Sequence, residues 1–253
     1  YTYASSPSGN GNDPLHNWVE VTEARDESSF TKTWTDELNK NVKIKVCDKV
    51  DNCNTDASMF IGIDRTAPAQ PTINNIDGVA YNAAWTNEDF KLVVVSNDGS
   101  GSGLNECQYT YASSPSGVGN DSSTQWKHNN GTFNSTKTSF TTTDFSLQRD
   151  QNVYIRVCDK VGNCSEKSSA RIKIDKTKPT CGSSDLTQDN SVDGVSGKVN
   201  CSDSFGECAS DKFNFSGLKE NTSVTIEDKA GNTNSCPVNI VSYDCSDGPW
   251  GTP

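Results

Sequence analysis

Apolar and polar positions alternate through residues 153–158: Val153, Ile155 and Val157 fall on one side, and Tyr154, Arg156 and Cys158 on the other. A period of two is the signature of a strand with one face packed and one face wet. The pattern predicts a half-buried antiparallel strand. Residues 159–163 follow as a turn, with Gly162 where a positive φ is easily reached. Ala170, Ile172 and Ile174 form the inward face of the returning strand, which ends at Asp175-Lys-Thr-Lys-Pro179 because proline has no N–H to continue a ladder.

The same hairpin occurs elsewhere. A close copy, VKIKVCDKVDNCNTDASMFIGIDRTAP, starts at Val42 and ends on Asp64-Arg-Thr-Ala-Pro68, and a looser copy starts at Val224. Asp51 and Gly231 take the place of Gly162 in these copies. Residues 1–9 match 109–117 residue for residue, and Trp18 matches Trp126. The apolar alternation Phe90, Leu92, Val94 and the turn-rich stretch 97–103 have no counterpart before Tyr1. The expected organisation is therefore a partial module at 1–66 that lacks its first strands, a complete module at 67–177, and a shortened module with a C-terminal tail at 178–253. No sustained helical period occurs, so the expected class is all-β: tandem antiparallel β-sandwiches with very little helix. Short proline-containing linkers favour a semi-rigid rod.

Composition narrows the setting. A 32% hydrophobic content suits several small cores better than one large one. A net charge of -11 argues against binding a phosphate backbone, which needs clustered lysines and arginines, so nucleic acid is not an expected partner. Ten cysteines beside turns point to an oxidised, extracellular framework. No run of about 18 apolar residues is present to span a membrane, and any anchor is expected outside this sequence.

The motif D-K-V-G-N or D-K-A-G-N, followed by a strand and then D-x-T-x-P, resembles the bacterial immunoglobulin-like (Big-type) tandem repeats of cell-surface adhesins and stalk proteins. The resemblance covers most of the chain, with Asp51 as a departure in the first copy. It implies immunoglobulin-like β-sandwiches at the cell surface, in a stalk or adhesive role.

Comparison between repeats assigns the cysteines. Cys47 and Cys53 occupy the places of Cys158 and Cys164, while the third copy has Glu227 and Thr233 there. Both members vanish together, so bridges Cys47 to Cys53 and Cys158 to Cys164 are expected on the outer face of each hairpin. Cys181 and Cys201 are both lacking from the second repeat, where Ser96 stands at the Cys201 place, and a bridge between them would tie the first two strands of the third module. Cys208 aligns with Cys107. The four remaining thiols, Cys107, Cys208, Cys236 and Cys245, admit three pairings. Cys208 with Cys236 is the favoured one, leaving Cys107 and Cys245 for a contact with another chain or with residues outside the sequence. Neither histidine nor a second cysteine pair sits at zinc-ligand spacing.

Catalytic constellations are lacking. His16 and His128 are out of register between repeats, and no nucleophile elbow, metalloprotease helix, phosphate loop or dinucleotide fingerprint occurs. The expectation is a non-enzyme without a cofactor. Asn97-Asp-Gly-Ser-Gly-Ser-Gly103 does place oxygen ligands near an acidic strand end, and Asp64 and Asp175 stand at module junctions where calcium would stiffen a rod. Without a bidentate Glu at the calcium-loop spacing, the stretch reads first as a plain glycine-rich turn. Trp18 and Trp126 recur in register, which favours packing over a sugar platform, whereas Trp250 lies in the non-repeated tail and is a candidate for docking on a neighbour. The expected function is a structural and adhesive stalk segment of a bacterial surface protein, with other copies of the chain or other surface proteins as partners. The alternatives are a filament subunit completed by a strand from another chain and a glycan-binding module.

Overall fold

A computed structural model describes residues 1–3, 18–21, 29, 31–54, 57–113, 125–189 and 194–240. Among them the chain is all-β, without helix. The strands are β1 (Leu38–Ile44), β2 (Ala57–Ile63), β3 (Thr72–Asn74), β4 (Val93–Val95), β5 (Leu104–Thr110), β6 (Lys127–His128), β7 (Thr132–Phe133), β8 (Ser139–Thr141), β9 (Arg149–Asp159), β10 (Ser168–Ile174), β11 (Thr180–Asp189), β12 (Gly194–Ser202), β13 (Lys212–Leu218), β14 (Thr222–Glu227) and β15 (Thr233–Val238). They form two-stranded sheets β1-β2 and β14-β15, a three-stranded sheet β11-β12-β13, and four-stranded sheets β10-β9-β5-β6 and β3-β4-β8-β7. No helix among the described residues is long and apolar enough to cross a membrane.

All three copies of the hairpin close in the same way. The amides of Asp48, Asp159 and Asp228 donate to the carbonyls of Asn52, Asn163 and Asn232 at 2.9, 3.0 and 3.1 Å. Each Asp then takes the turn's own N–H groups on Oδ1, as Asp159 does from Val161, Gly162 and Asn163 at 2.9, 2.7 and 2.9 Å. Each Asn returns its side-chain amide to the other oxygen, at 2.9, 2.7 and 2.8 Å for Asn52, Asn163 and Asn232. This explains the motif D-K-x-G-N: the first residue caps the turn, the last ties it shut, and the fourth adopts a left-handed backbone. Gly162 and Gly231 have φ of 98° and 90°, and Asp51 is held at 64° in the same place.

By compactness the chain divides into two units, one of Tyr1–Thr72, Val94–Phe140 and Ile155–Ser168, the other of Ile73–Val93, Thr141–Tyr154 and Ser169–Pro253. In the first, the buried side chains include Val42, Val94, Leu104, Phe140, Ile155 and Val157. In the second they include Leu92, Val153, Ile172 and Ile174, together with a cluster of Val199, Ile226, Cys236 and Val238 flanked by Phe213, Phe215 and Val224. The expected inward face of β9 is fully buried at Val153, Ile155 and Val157, but the opposite face also closes over at Arg156 and Cys158. The cause is polar pairing. Arg156 Nε donates to Gln108 Oε1 at 2.8 Å, and its guanidinium lies 4.2 Å from the Trp126 ring centre, so the charge is covered without losing a partner.

Four disulfides close among the described residues, which fits an oxidising compartment. Cys47 pairs with Cys53 and Cys158 with Cys164, across hairpin necks pinched to Cα separations of 3.9 and 4.1 Å. The cysteines after Pro179 differ from expectation. Cys181 pairs with Cys236 and Cys201 with Cys208, rather than Cys181 with Cys201 and Cys208 with Cys236. Cys181 and Cys201 do face each other in the β11-β12 register, so their adjacency was legible. Cys181 instead crosses to β15, where Cys236 is 1% exposed within the apolar cluster, and Cys201 turns to the far end of its own loop.

The alignment of Cys208 with Cys107 is also corrected. Lys160 N donates to Gly103 O and Lys229 N to Glu207 O, at 3.1 and 2.7 Å, which puts Cys208 at the place of Leu104. The third loop is one residue shorter, and that shift hid the match. Cys107 is a free thiol, 1% exposed, on β5. In this chain the thiol packs into the interior rather than facing outward, where a contact with another chain or with residues outside the sequence was expected. Cys245 and Trp250 lie outside the described residues.

Candidate functional site

Six aspartates converge in two groups of three. Asp64, Asp98 and Asp159 bring one carboxylate oxygen each within 4.8 Å of one another, and Asp175, Asp203 and Asp228 do the same. Each group is built from the same three parts. Asp64 follows β2 and Asp175 follows β10, at the start of D-x-T-x-P; Asp159 and Asp228 are the hairpin aspartates; Asp98 and Asp203 begin the loops that leave β4 and β12. The first group lies within the first compact unit and the second within the other.

Matched hydrogen bonds hold each linker to its hairpin. Asn163 Nδ2 donates to Asp64 O at 3.2 Å and Asn232 Nδ2 to Asp175 O at 2.8 Å. One amide therefore serves both the turn and the linker. The linker carboxylates are oriented by Thr66 N on Asp64 Oδ1 at 3.1 Å and by Thr177 N on Asp175 Oδ1 at 2.9 Å. Asn234 Nδ2 adds a bond to Pro179 O at 2.8 Å in the second group.

The loops bring backbone directly onto the acids. A Cβ at Gly101 would lie 2.5 Å from Asp98 Oδ2 and 2.8 Å from Asp64 Oδ2, and one at Gly206 would lie 2.3 Å from Asp175 Oδ2. Only glycine leaves that space open. Asp98 Oδ2 accepts from Gly103 N and Asp64 Oδ2 from Ser102 N, both at 2.6 Å. In the second group the Cys201–Cys208 bridge cinches the loop that carries Asp203 and Gly206, where the first group relies on a glycine- and serine-rich chain.

Electrostatics set these acids apart from ordinary surface aspartates. Asp175 is 0% exposed and Asp228 and Asp159 are each 2% exposed. Asp175 Oδ2, Asp203 Oδ2 and Asp98 Oδ1 are buried oxygens with no hydrogen-bond donor. Burial pushes the Asp175 carboxyl above its ordinary range, the Thr177 amide offsets this in part, and the Asp203 and Asp228 charges push further upward. Asp98 is raised by burial as well, against the Gly103 amide, and by the charges of Asp64, Asp159 and Glu37. At Asp64 burial also pushes upward, but donors from Ser102 and Thr66 outweigh it and its carboxyl is lowered. Asp48, the hairpin aspartate of the first copy, is exposed and is lowered by the amides of Asn52 and Val50. An anionic pocket of oxygen donors suits a hard cation and offers neither thiolate nor imidazole to a softer one.

The other candidates are placed as follows. His128 Nδ1 lies 2.7 Å from Glu106 Oε2 with its ring largely exposed, and His16 is outside the described residues. Asp89 is bound by Lys176 at the surface. Trp18 and Trp126 are half-buried under Lys45 and Arg156, 4.4 and 4.2 Å from the ring centres, so a recurring cation covers the recurring ring. A separate open depression is lined by Tyr81, Trp85 and Phe90 with Asn82, Asp89 and Asp144. Reading the sequence singled out Asp64, Asp175 and the Asn97 loop but missed Asp203 and the part played by Asp159 and Asp228. The hairpin motif hid the last two behind a sufficient turn function. Aligning Asp203-Ser-Phe-Gly206 with Asp98-Gly-Ser-Gly101 would have found the first. No protein-family model matches the chain, and comparison with curated proteins likewise finds no match.

Proposed function

We propose that the chain is a structural segment of an extracellular bacterial surface protein, a semi-rigid stalk of immunoglobulin-like repeats without catalytic activity. The observation that carries this reading is the repeated grip of hairpin on linker: Asn163 on Asp64 O and Asn232 on Asp175 O, each beside the same trio of acids. A joint locked at the same place in successive repeats transmits force and resists bending. Disulfides across the hairpin necks and through the last core add resistance to extension.

Stretching the chain by its ends tests this. Reducing the Cys181–Cys236 bridge together with the Cys201–Cys208 bridge inside its span should lengthen the fully extended chain by the 55 residues behind them, about 190 Å at roughly 3.5 Å per residue. Extension without a force-bearing step in the oxidised chain would contradict a stalk. A filament subunit is favoured by one observation, the exposed Met59 and Phe60 on β2, 51% and 64% accessible, in a sheet of two strands; a monomeric native mass at high concentration would remove it. Glycan binding is favoured by the open depression lined by Tyr81, Trp85 and Phe90. Retention on a glycan array lost in Trp85→Ala would support it, and a silent array would leave the stalk.

A further inference from the structure

Three carboxylates gathered out of water must either hold protons or gain a compensating positive charge, since an unpaired buried ion costs several kcal/mol. Asp175 is 0% exposed, and its Oδ2 faces Asp203 and Asp228 without a donor. Asp203 Oδ2 is buried and equally without a donor. The charged groups that act on Asp175 are both negative. The same trio recurs at Asp64, Asp98 and Asp159, where Asp98 Oδ1 is the oxygen left without a donor. Hydrogen bonds from the turns orient these acids but do not neutralise them. A glycine in each loop, Gly206 and Gly101, keeps open the space that a side chain would fill.

We propose that Asp175, Asp203 and Asp228 form a calcium site and that Asp64, Asp98 and Asp159 form a second one of the same design. The donors are oxygen only, and oxygens within 4.8 Å of one another can share an ion at calcium–oxygen distances of about 2.3–2.6 Å. Calcium accepts irregular shells of about six to eight oxygens, so water and backbone carbonyls complete what three carboxylates begin, whereas magnesium demands a near-ideal octahedron at about 2.0–2.1 Å. Each site joins a linker aspartate to a hairpin aspartate and a loop aspartate, so one ion ties three segments that are distant in sequence. Sites of this kind in extracellular modules bind with dissociation constants on the order of 10⁻⁴–10⁻³ M.

Calorimetric titration of the disulfide-intact chain with calcium chloride, after chelator treatment and in about 0.15 M NaCl to screen non-specific attraction, tests the assignment. Two sites per chain are expected. Asp175→Asn and Asp98→Asn should each leave one, and the double variant none. Asn retains the oxygen that accepts from the Thr177 or Gly103 amide, so folding is preserved. In chelator the double variant should melt no lower than the native chain, because it has lost repulsion, while in calcium the native chain should melt higher than the variant. That reversal separates a site from a structural defect. Absence of calcium heat and of a calcium-dependent melting shift in the native chain would overturn the proposal, as would variants that bind like the native chain. An equal response to magnesium chloride would overturn the choice of calcium. Calcium binding stands apart from the stalk reading: a chain that binds two ions yet bends freely fails only the latter.

Discussion

Deleting the bridges Cys181–Cys236 and Cys201–Cys208 one at a time should separate them by size. Cys181–Cys236 closes a span of 55 residues and Cys201–Cys208 a span of 7. In the chain-entropy account, losing the first costs about 4 kcal/mol and losing the second about 2 kcal/mol. Packing widens the gap, because Cys236 sits in the cluster of Val199, Ile226 and Val238 whereas Cys201 and Cys208 are partly exposed. Alanine is the substitution to use, since serine would add a buried hydroxyl. Global unfolding of a chain with two compact units is not a single transition. The assay is therefore native-state hydrogen exchange at the Val224, Ile226 and Val238 amides. Each 1.4 kcal/mol is tenfold, so C181A/C236A should lower protection by about a thousandfold and C201A/C208A by roughly thirtyfold. Equal losses, or a larger loss for the short loop, would refute the pairing and the reasoning together.

Asp51→Gly should raise the melting temperature of the first hairpin by the equivalent of about 0.5–1 kcal/mol, and Gly162→Ala should lower stability by about 1 kcal/mol, because both positions hold a positive φ. Burial pushes the Cys107 thiol up, so it should resist alkylation at pH 8 in the native chain and react once unfolded. The Tyr81 phenol is pushed up to about 12 by burial; an unfolded chain ionises it near 10, so its contribution is intact below pH 10 and lost as pH rises from 10 to 12. Phenolate absorbance, compared with Tyr81→Phe, reads this directly.

Much of the fold was written in local chemistry. The period-two stretch, the D-K-x-G-N turn and the terminating proline each act over a few residues, and β9, its turn and β10 follow from them. The hairpin disulfides were legible for the same reason, since a tight turn fixes which residues are opposed. Cys181, Cys201, Cys208 and Cys236 were not, because their partners depend on how β11 meets β15 and on a loop one residue shorter than its counterpart. The site shows the same divide. Asp64 and Asp175 were visible as linker acids, but the trio exists only once a linker, a loop and a hairpin far apart in the chain are brought together. The burial of Arg156 was hidden too, since it depends on Gln108 and Trp126 closing over a face that alternation alone assigns to solvent.

The central claim, that the second and third hairpin turns each grip the linker before them, is most directly tested by small-angle X-ray scattering of the oxidised chain beside the double variant Asn163→Ala, Asn232→Ala. The account predicts a narrow distance distribution for the native chain and a broader one for the variant. Identical distributions for the two, or a native profile that is already coil-like, would contradict it.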